Sequence, residues 1–282
     1  MELNPNKIRI VSDTSSDVMS LPDVPYQFAP MKVVTADREY VDDENLDIRQ
    51  MVDNLQSYRG KSSTSCPNAE DWLRAFGDAE QVYCVTITAT LSGSYNAAMT
   101  AKQIYEEQHP ERKVFVLNSL TAGPEIRLII EKIRELVLSG KIFEDICETV
   151  SRYCSKTGLL FMLESMKNLA NNGRVSPLVA KMAGLLGIRV VGKASDRGDL
   201  EPLNKCRGEK KALETIVERM KELGYKAGKV HISHCFNEGA GQELKALIQR
   251  EFGKVKVEIH KCMGLCSFYA EKGGMLVGFE KG

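Results

Sequence analysis

Short apolar runs alternate with segments of helical period along most of the chain, and that alternation restricts the fold more than any other feature. Residues 7–11 (KIRIV), 82–88 (VYCVTIT) and 113–117 (KVFVL) are β-branched or apolar runs bounded by turn residues, the pattern of buried strands. Between the last two, Ala97, Ala98, Ala101, Ile104 and Tyr105 recur at helical spacing, and Pro110 follows the helix end. Strand, helix and strand over that length form a parallel crossover unit. Residues 125–138 and 142–153 carry further helical patterns, separated by Ser139 and Gly140. A second series begins near residue 157, with strands expected at 158–163, 188–191, 229–233 and 255–260 and in the GGMLVGF tail. Leu213, Ile216, Val217, Met220 and Leu223 make one helix face that Gly224 ends, and Leu244, Leu247, Ile248 and Phe252 make another that Gly253 ends. The expected fold class is α/β in two domains, 1–155 and 156–282, with the boundary inside 153–158 (YCSKTG).

Composition narrows the function. The chain has 282 residues, enough for two medium domains with full cores. Lys+Arg and Asp+Glu number 38 each, so there is no net field for a nucleic-acid backbone or an anionic membrane surface. No run of about 18 apolar residues occurs, so no membrane insertion is expected. The N-terminal MELNPNKIRIVSDTSSD lacks the basic start and apolar stretch of a signal peptide. Most of the eight cysteines sit in apolar runs and read as reduced thiols, which places the protein in the cytoplasm.

Three segments could bind an anion. In residues 82–101 a buried strand ends at Thr88, and Ser92, Gly93 and Ser94 stand just before a helix. A helix start presents unpaired N–H groups and a positive dipole end, Gly93 permits close approach, and the serines add hydroxyls. Serine is also a preferred N-cap, and on spacing alone capping is the commoner role. In residues 61–72 (KSSTSCPNAEDW), Ser62, Ser63, Thr64 and Ser65 precede Cys66 and Pro67, and Pro67 can open a helix; the plainer reading is a solvated loop. Two such loops in one domain favour a shared anion. In residues 167–177 the Asn171-Asn172-Gly173 turn delivers Arg174, whose guanidinium fork suits an anion, although such an arginine is more often a surface residue. Asp13 follows the first strand, where α/β sheets place ligand groups, or it caps the next turn.

Other chemistries find less support. His260, Cys262 and Cys266 suggest zinc, but one loose C-x-x-x-C pair is weak, and the expectation is that metal plays no part. There is no G-x-G-x-x-G and no G-x-S-x-G, and Gly60-Lys61-Ser62 lacks the first glycine of G-x-x-x-x-G-K-[ST], so neither nucleotide binding nor a serine elbow has a complete motif, and no catalytic residue is assigned.

Taken together the segments resemble the DegV family. IVSDTSSDV (10–18) is similar to its D-S/T-x-x-D opening, and PMKVV with REYVDD (30–34, 38–43) to its P-L-x-V…Y-x-D segment. STSCP (63–67) resembles T-S-Q-P, TLSGSY (90–95) resembles L-S-G-T-Y, and VLNSLTAG (116–123) resembles V-D-S-x-x-A/S-x-G with Asn118 in place of Asp. NNGRVS (171–176), LLGIRVV (185–191) and KCRGEKKAL (205–213) resemble G-G-R-I-S, L-L-x-I-K-P and V-R-x-x-K-K-A. The resemblance implies two α/β domains with a ligand cleft between them. It implies a bound long-chain fatty acid, its carboxylate at the N-domain loops and its chain in an apolar tunnel. Some members serve as the lipid-binding subunit of a two-part fatty acid kinase, whose separate ATP-binding subunit makes the acyl phosphate. Carried onto this chain, the ligand positions are Thr64, Ser65, Ser92, Gly93, Ser94 and Arg174, with no cofactor. His260 takes the place of the histidine in the family's H-x-G-P-G, where this chain reads His260-Lys261-Cys262-Met263-Gly264.

The expectation is therefore a lipid-binding protein that presents an acyl carboxylate to a kinase partner. Burial of an acyl chain at about 0.8 kcal/mol per methylene can hold it without an ion pair. Its rivals are a lipid carrier or sensor with no kinase, and an acyl hydrolase or transferase using Ser92.

Overall fold

A computed structural model describes residues 7–183 and 186–282; Leu185 of the 185–191 segment and the first six residues of the N-terminal stretch lie outside the described residues. In chain order the elements are β1 (Ile8–Asp13), β2 (Tyr26–Ala29), β3 (Lys32–Val34), β4 (Glu39–Val41), α1 (Ile48–Ser57), β5 (Ser63–Ser65), α2 (Ala69–Phe76), β6 (Gln81–Thr86), α3 (Ser94–Gln108), β7 (Lys113–Asn118), α4 (Pro124–Leu138) and α5 (Phe143–Cys154). There follow β8 (Thr157–Leu163), α6 (Lys167–Asn171), α7 (Pro177–Ala180), β9 (Ile188–Ala194), β10 (Leu200–Arg207), α8 (Glu209–Glu222), β11 (Val230–His234), α9 (Glu238–Phe252), β12 (Val257–Lys261), α10 (Gly264–Ala270) and β13 (Met275–Glu280).

Three sheets organise these elements. β2-β1-β6-β7 is parallel throughout, as the crossover reading requires. Its strands alternate between two cores. Ile10, Tyr83 and Val85 face Ile126, Ile129, Ile130 and Ile133 of α4, while Val11, Val82 and Cys84 face Trp72 and Phe76 of α2 and Ala98, Ala101 and Tyr105 of α3. The second sheet, β10-β9-β8-β13-β11-β12, is antiparallel except for the β11–β12 pair. α8 and α9 cover one face of it, with Leu213, Ile216, Met220, Leu244 and Ile248 packed on Leu160, Val191, Ile232 and Phe279. The stretch 26–65 carries no long periodic run; it supplies β2, α1 and a small antiparallel sheet, β4-β3-β5, whose strands are three residues each.

Two elements tie the halves of the chain together. α4 packs on the first sheet and also on β13, β11 and β8 of the second. Its start comes so close to β13 that a Cβ at Gly278 would stand 2.5 Å from the Glu125 nitrogen, which only glycine tolerates. The second tie is α10. Its first two N–H groups, Gly264 and Leu265, donate to Oδ1 and Oδ2 of Asp42 at 2.7 and 2.8 Å. Two of the orphan donors of a C-terminal helix are thus satisfied by a carboxylate from the N-terminal half.

Candidate functional site

A cavity of about 310 Å³ lies where the ties meet, and its walls come from both halves of the chain. Its polar side chains are Ser15, Thr64, Ser65, Cys66, Ser92, Arg174 and Tyr269. Its apolar surface is built from Met31, Ile87, Leu91, Ala122, Phe161, Leu163, Leu169, Leu200, Leu265, Ala270 and Leu276. Most of these apolar residues are fully buried, whereas Ser65 and Gly93 are exposed and Thr64, Ser92 and Arg174 are half-buried. Apart from the fully buried Ser15, the polar groups therefore form the outer rim and the apolar ones most of the interior.

The rim is assembled from three segments. Thr64 sits on β5 opposite Val33 of β3, so a strand, rather than the expected loop opening a helix at Pro67, holds it. The helix behind it starts at Ala69, and Asn68 and Asp71 close a capping box there, which leaves the Thr64 and Ser65 hydroxyls free of capping duty. The Thr64 hydroxyl lies 2.7 Å from the Tyr269 hydroxyl of α10. Burial raises the Tyr269 phenol above its usual pKa, so it stays neutral.

The second segment is the turn into α3. Gly93 occupies the N-cap without a side-chain bond, and the Ser92 hydroxyl accepts the Ser94 N–H at 3.2 Å, which leaves its own proton to donate. A Cβ on Gly93 would stand 3.2 Å from the Cys66 sulfur, so the two loops touch here. Ser94 departs from expectation. Its side chain is fully buried, is not in the cavity wall, and donates to Oδ2 of Asp13 at 2.6 Å. Asp13 also accepts from the Ile87 nitrogen at 3.0 Å and caps the turn at Ser15, so of its two readings the structural one applies. Burial raises its pKa.

Arg174 completes the rim. The turn that delivers it closes with Gly173 at φ +72°, and the Arg174 nitrogen donates to the Leu169 carbonyl at 2.8 Å. Its Nε donates to the Leu91 carbonyl at 3.1 Å, its Nη1 donates to the Asn172 carbonyl, and its guanidinium lies 6.0 Å from the centre of the Tyr269 ring. Arg174 is the only charged side chain in the cavity wall among the described residues, and none of the four histidines or of the carboxylates lines it. Ser92 thus has no base beside it.

His260 is not brought to this cavity. It lies on β12, with its Nε2 3.0 Å from Nδ1 of His231 on β11. Burial and the nearby Arg127 charge lower its pKa to about 4. The chain after it turns inward: Cys262 and Cys266 are buried, and Cys266 and Tyr269 line the cavity that His260 was expected to reach. His260, Cys262 and Cys266, weak as a zinc set by their spacing, are not among the groups close enough to share an ion in the described residues. Burial pushes both thiols well above their usual pKa, and the metal-competent group among the described residues is instead His231, Glu258 and His260. Asp42 is the Asp of the Y-x-D segment, whose part as the anchor of α10 the sequence did not show, and Tyr269 is marked by no spacing of its own.

The profile described as "Uncharacterised protein, DegV family" matches residues 7–281. The chain belongs to the DegV family. A DegV domain-containing protein of Streptococcus pneumoniae is 41% identical over 276 residues, covering 96% of this chain and 98% of its own. A DegV family protein from Eubacterium eligens, solved with heptadecanoic acid, superposes with a TM-score of 0.96 at 41% identity, covering 98% of this chain and 100% of its own. The Streptococcus pneumoniae Fatty Acid Kinase (Fak) B3 protein, solved with linoleic acid, gives the same TM-score of 0.96 at 41% identity and the same coverage, 98% and 100%. The α/β fold class expected from the strand and helix alternation is the fold of these DegV structures. No helix of the described residues is long and apolar enough to cross a membrane.

Proposed function

We propose that this chain binds a long-chain fatty acid in the cavity and presents its carboxylate to a separate ATP-dependent kinase subunit, which forms the acyl phosphate. The observation that carries this reading is the wall itself: a buried apolar interior beneath a rim whose one charged side chain is Arg174. An alkyl chain gains from every buried methylene, and a carboxylate at the rim meets hydroxyl donors, the uncapped start of α3 and one guanidinium. The domains 1–155 and 156–282 would then each supply part of the cleft. Both the heptadecanoic acid of the Eubacterium eligens relative and the kinase name of the Streptococcus pneumoniae relative support it. The absence of a base beside Ser92 counts against a hydrolase. ATP as the co-substrate puts the protein in the cytoplasm.

Mass spectrometry of ligand extracted from native protein should release a fatty acid, and acyl phosphate should form only when an ATP-binding kinase subunit is added. Retained fatty acid with no phosphorylation by such a subunit would make the protein a carrier or sensor instead. Arg174→Ala removes both the cation and the clamp on the Leu91 carbonyl. It should leave most of the lipid bound yet lower acyl phosphate formation on the order of tenfold or more, since a donor aimed at developing charge acts mainly in the transition state. Wild-type turnover in Arg174→Ala would remove it from the site.

A further inference from the structure

The histidine pair on the second sheet forms a geometry that hydrogen bonding alone does not explain. β11 and β12 run parallel with His231 opposite Glu258 and Ser233 opposite His260. Glu258 and His260 are two residues apart and share a face, which lies toward α4 along with His231. Nδ1 of His231 and Nε2 of His260 are 3.0 Å apart, and Oε2 of Glu258 is 3.7 Å from the first and 3.8 Å from the second. Neither carboxylate contact is a hydrogen bond. The three atoms form an acute triangle whose centre is equidistant from all of them at about 2 Å, the length of a Zn–N or Zn–O bond.

We propose that His231, Glu258 and His260 form a binding site for a divalent transition metal ion of the zinc type, separate from the lipid cavity. Two imidazoles and one carboxylate are the donor set such an ion takes, with water in the remaining position. Glu258 is 37% exposed and opens the site to solvent, while the His231 side chain is 2% exposed and cannot swing away. Glu131 on α4 is the positioning residue. Its Oε1 lies 3.1 Å from Nε2 of His231, a charge contact short of hydrogen-bond geometry that favours a proton on Nε2 and leaves the Nδ1 lone pair for the ion. Lys229 holds Oε2 of Glu131 at 3.4 Å, and Lys256 holds Oε1 of Glu258 at 2.7 Å, which keeps Oε2 of Glu258 turned to the histidines. The ion replaces the proton shared between Nδ1 of His231 and Nε2 of His260; that proton moves to Nδ1 of His260 or leaves to solvent. The expectation that metal has no part weighed His260 with Cys262 and Cys266; of these only His260 belongs to this triangle, and its partners are His231 and Glu258 instead of the thiols. Bound there, the ion clips β11 to β12 and, through Glu131, to α4.

Tag-free full-length protein, stripped with chelator, should bind one Zn²⁺ per chain by calorimetry, and Co²⁺ should give the visible absorption of a four-coordinate N/O site. His260→Ala and Glu258→Gln should each weaken Zn²⁺ by at least tenfold, and Glu131→Gln roughly tenfold through the misplaced ring, while Cys262→Ser leaves it unchanged. Zn²⁺ should raise the melting temperature of wild type and not of His260→Ala. No Zn²⁺ binding by wild type, equal binding by His260→Ala, or binding lost in Cys262→Ser would each overturn the site. Fatty acid retention does not enter these readouts, so the lipid reading stands or falls apart from this one.

Discussion

The rim and the interior of the cavity are built on different rules. At the rim each of the three key side chains is held by a bond within the protein: Thr64 faces Tyr269, Ser92 accepts the Ser94 N–H, and Arg174 reaches the Leu91 carbonyl. Its groups are held in place before any ligand arrives, and a head group meets donors that need little reordering. The interior holds no such bonds. Phe161, Leu163 and Leu169 come from a strand and a short helix of the second half, and Met31 and Ile87 from the first. Apolar surface is non-directional, so it recognises length and bulk, whereas the rim recognises charge at one point. Affinity should therefore depend mostly on the interior, and the position of the carboxylate on the rim.

The largest test fills the interior. Ala122 is a half-buried loop residue in the wall, between β7 and α4. Ala122→Phe should displace several methylenes of the ligand; three to four at about 0.8 kcal/mol each is about 3 kcal/mol, or roughly a hundredfold in fatty acid affinity. Unfolding monitored alongside should show an intact fold. Unchanged retention of a C18 acid would mean the acyl chain lies elsewhere. Next come Thr64→Ala and Ser92→Ala. Each removes one donor to a charged head group, at about 1.5–3 kcal/mol. If both variants bind fatty acid as wild type does, the rim does not hold the carboxylate.

A separate test, read on stability and not on affinity, concerns the anchor of the interior wall. Burial raises Asp42 to about 7, against the pull of the Gly264 and Leu265 N–H groups. Its folded pKa lies above the unfolded value of about 3.9, so folding holds a proton that the unfolded chain releases. Its contribution is complete below about pH 4 and declines as pH rises toward about 7. The stability advantage of wild type over Asp42→Asn, measured by denaturant titration, should shrink across that window. An advantage that grows with pH would reverse the assignment.

Some of this was legible in the sequence and some was not, for physical reasons. The long elements declare themselves: α3, α4, α8 and α9 bury one face each, and β6 and β7 are continuous apolar runs. β3, β4 and β5 are too short to show a period, and β10 mixes half-buried and exposed positions, with an irregular register between Pro202 and Asn204. α10 is apolar on nearly every side, because it packs on the cavity and the core together, so it has no amphipathic stripe to read. Arg174, Thr64 and Ser92 stand out because glycine turns and hydroxyl runs mark them. Ser94 carries the same mark, yet its hydroxyl turns inward to a carboxylate eighty-one positions earlier. His231 and His260 meet only through the register of two parallel strands, which no local spacing records.

The carboxylate of Asp42 beneath α10 makes the cavity a joint property of the two halves of the chain. Leu265, Cys266, Tyr269 and Ala270 of α10 close one side of it, and the helix that carries them is anchored on a residue 222 positions before its first N–H. The parallel sheet and the Thr64 and Ser92 loops belong to the first half, so that half alone presents hydroxyls without most of the apolar wall. Loss of the Asp42 contacts would therefore open the enclosure while leaving the Ser92 turn in place.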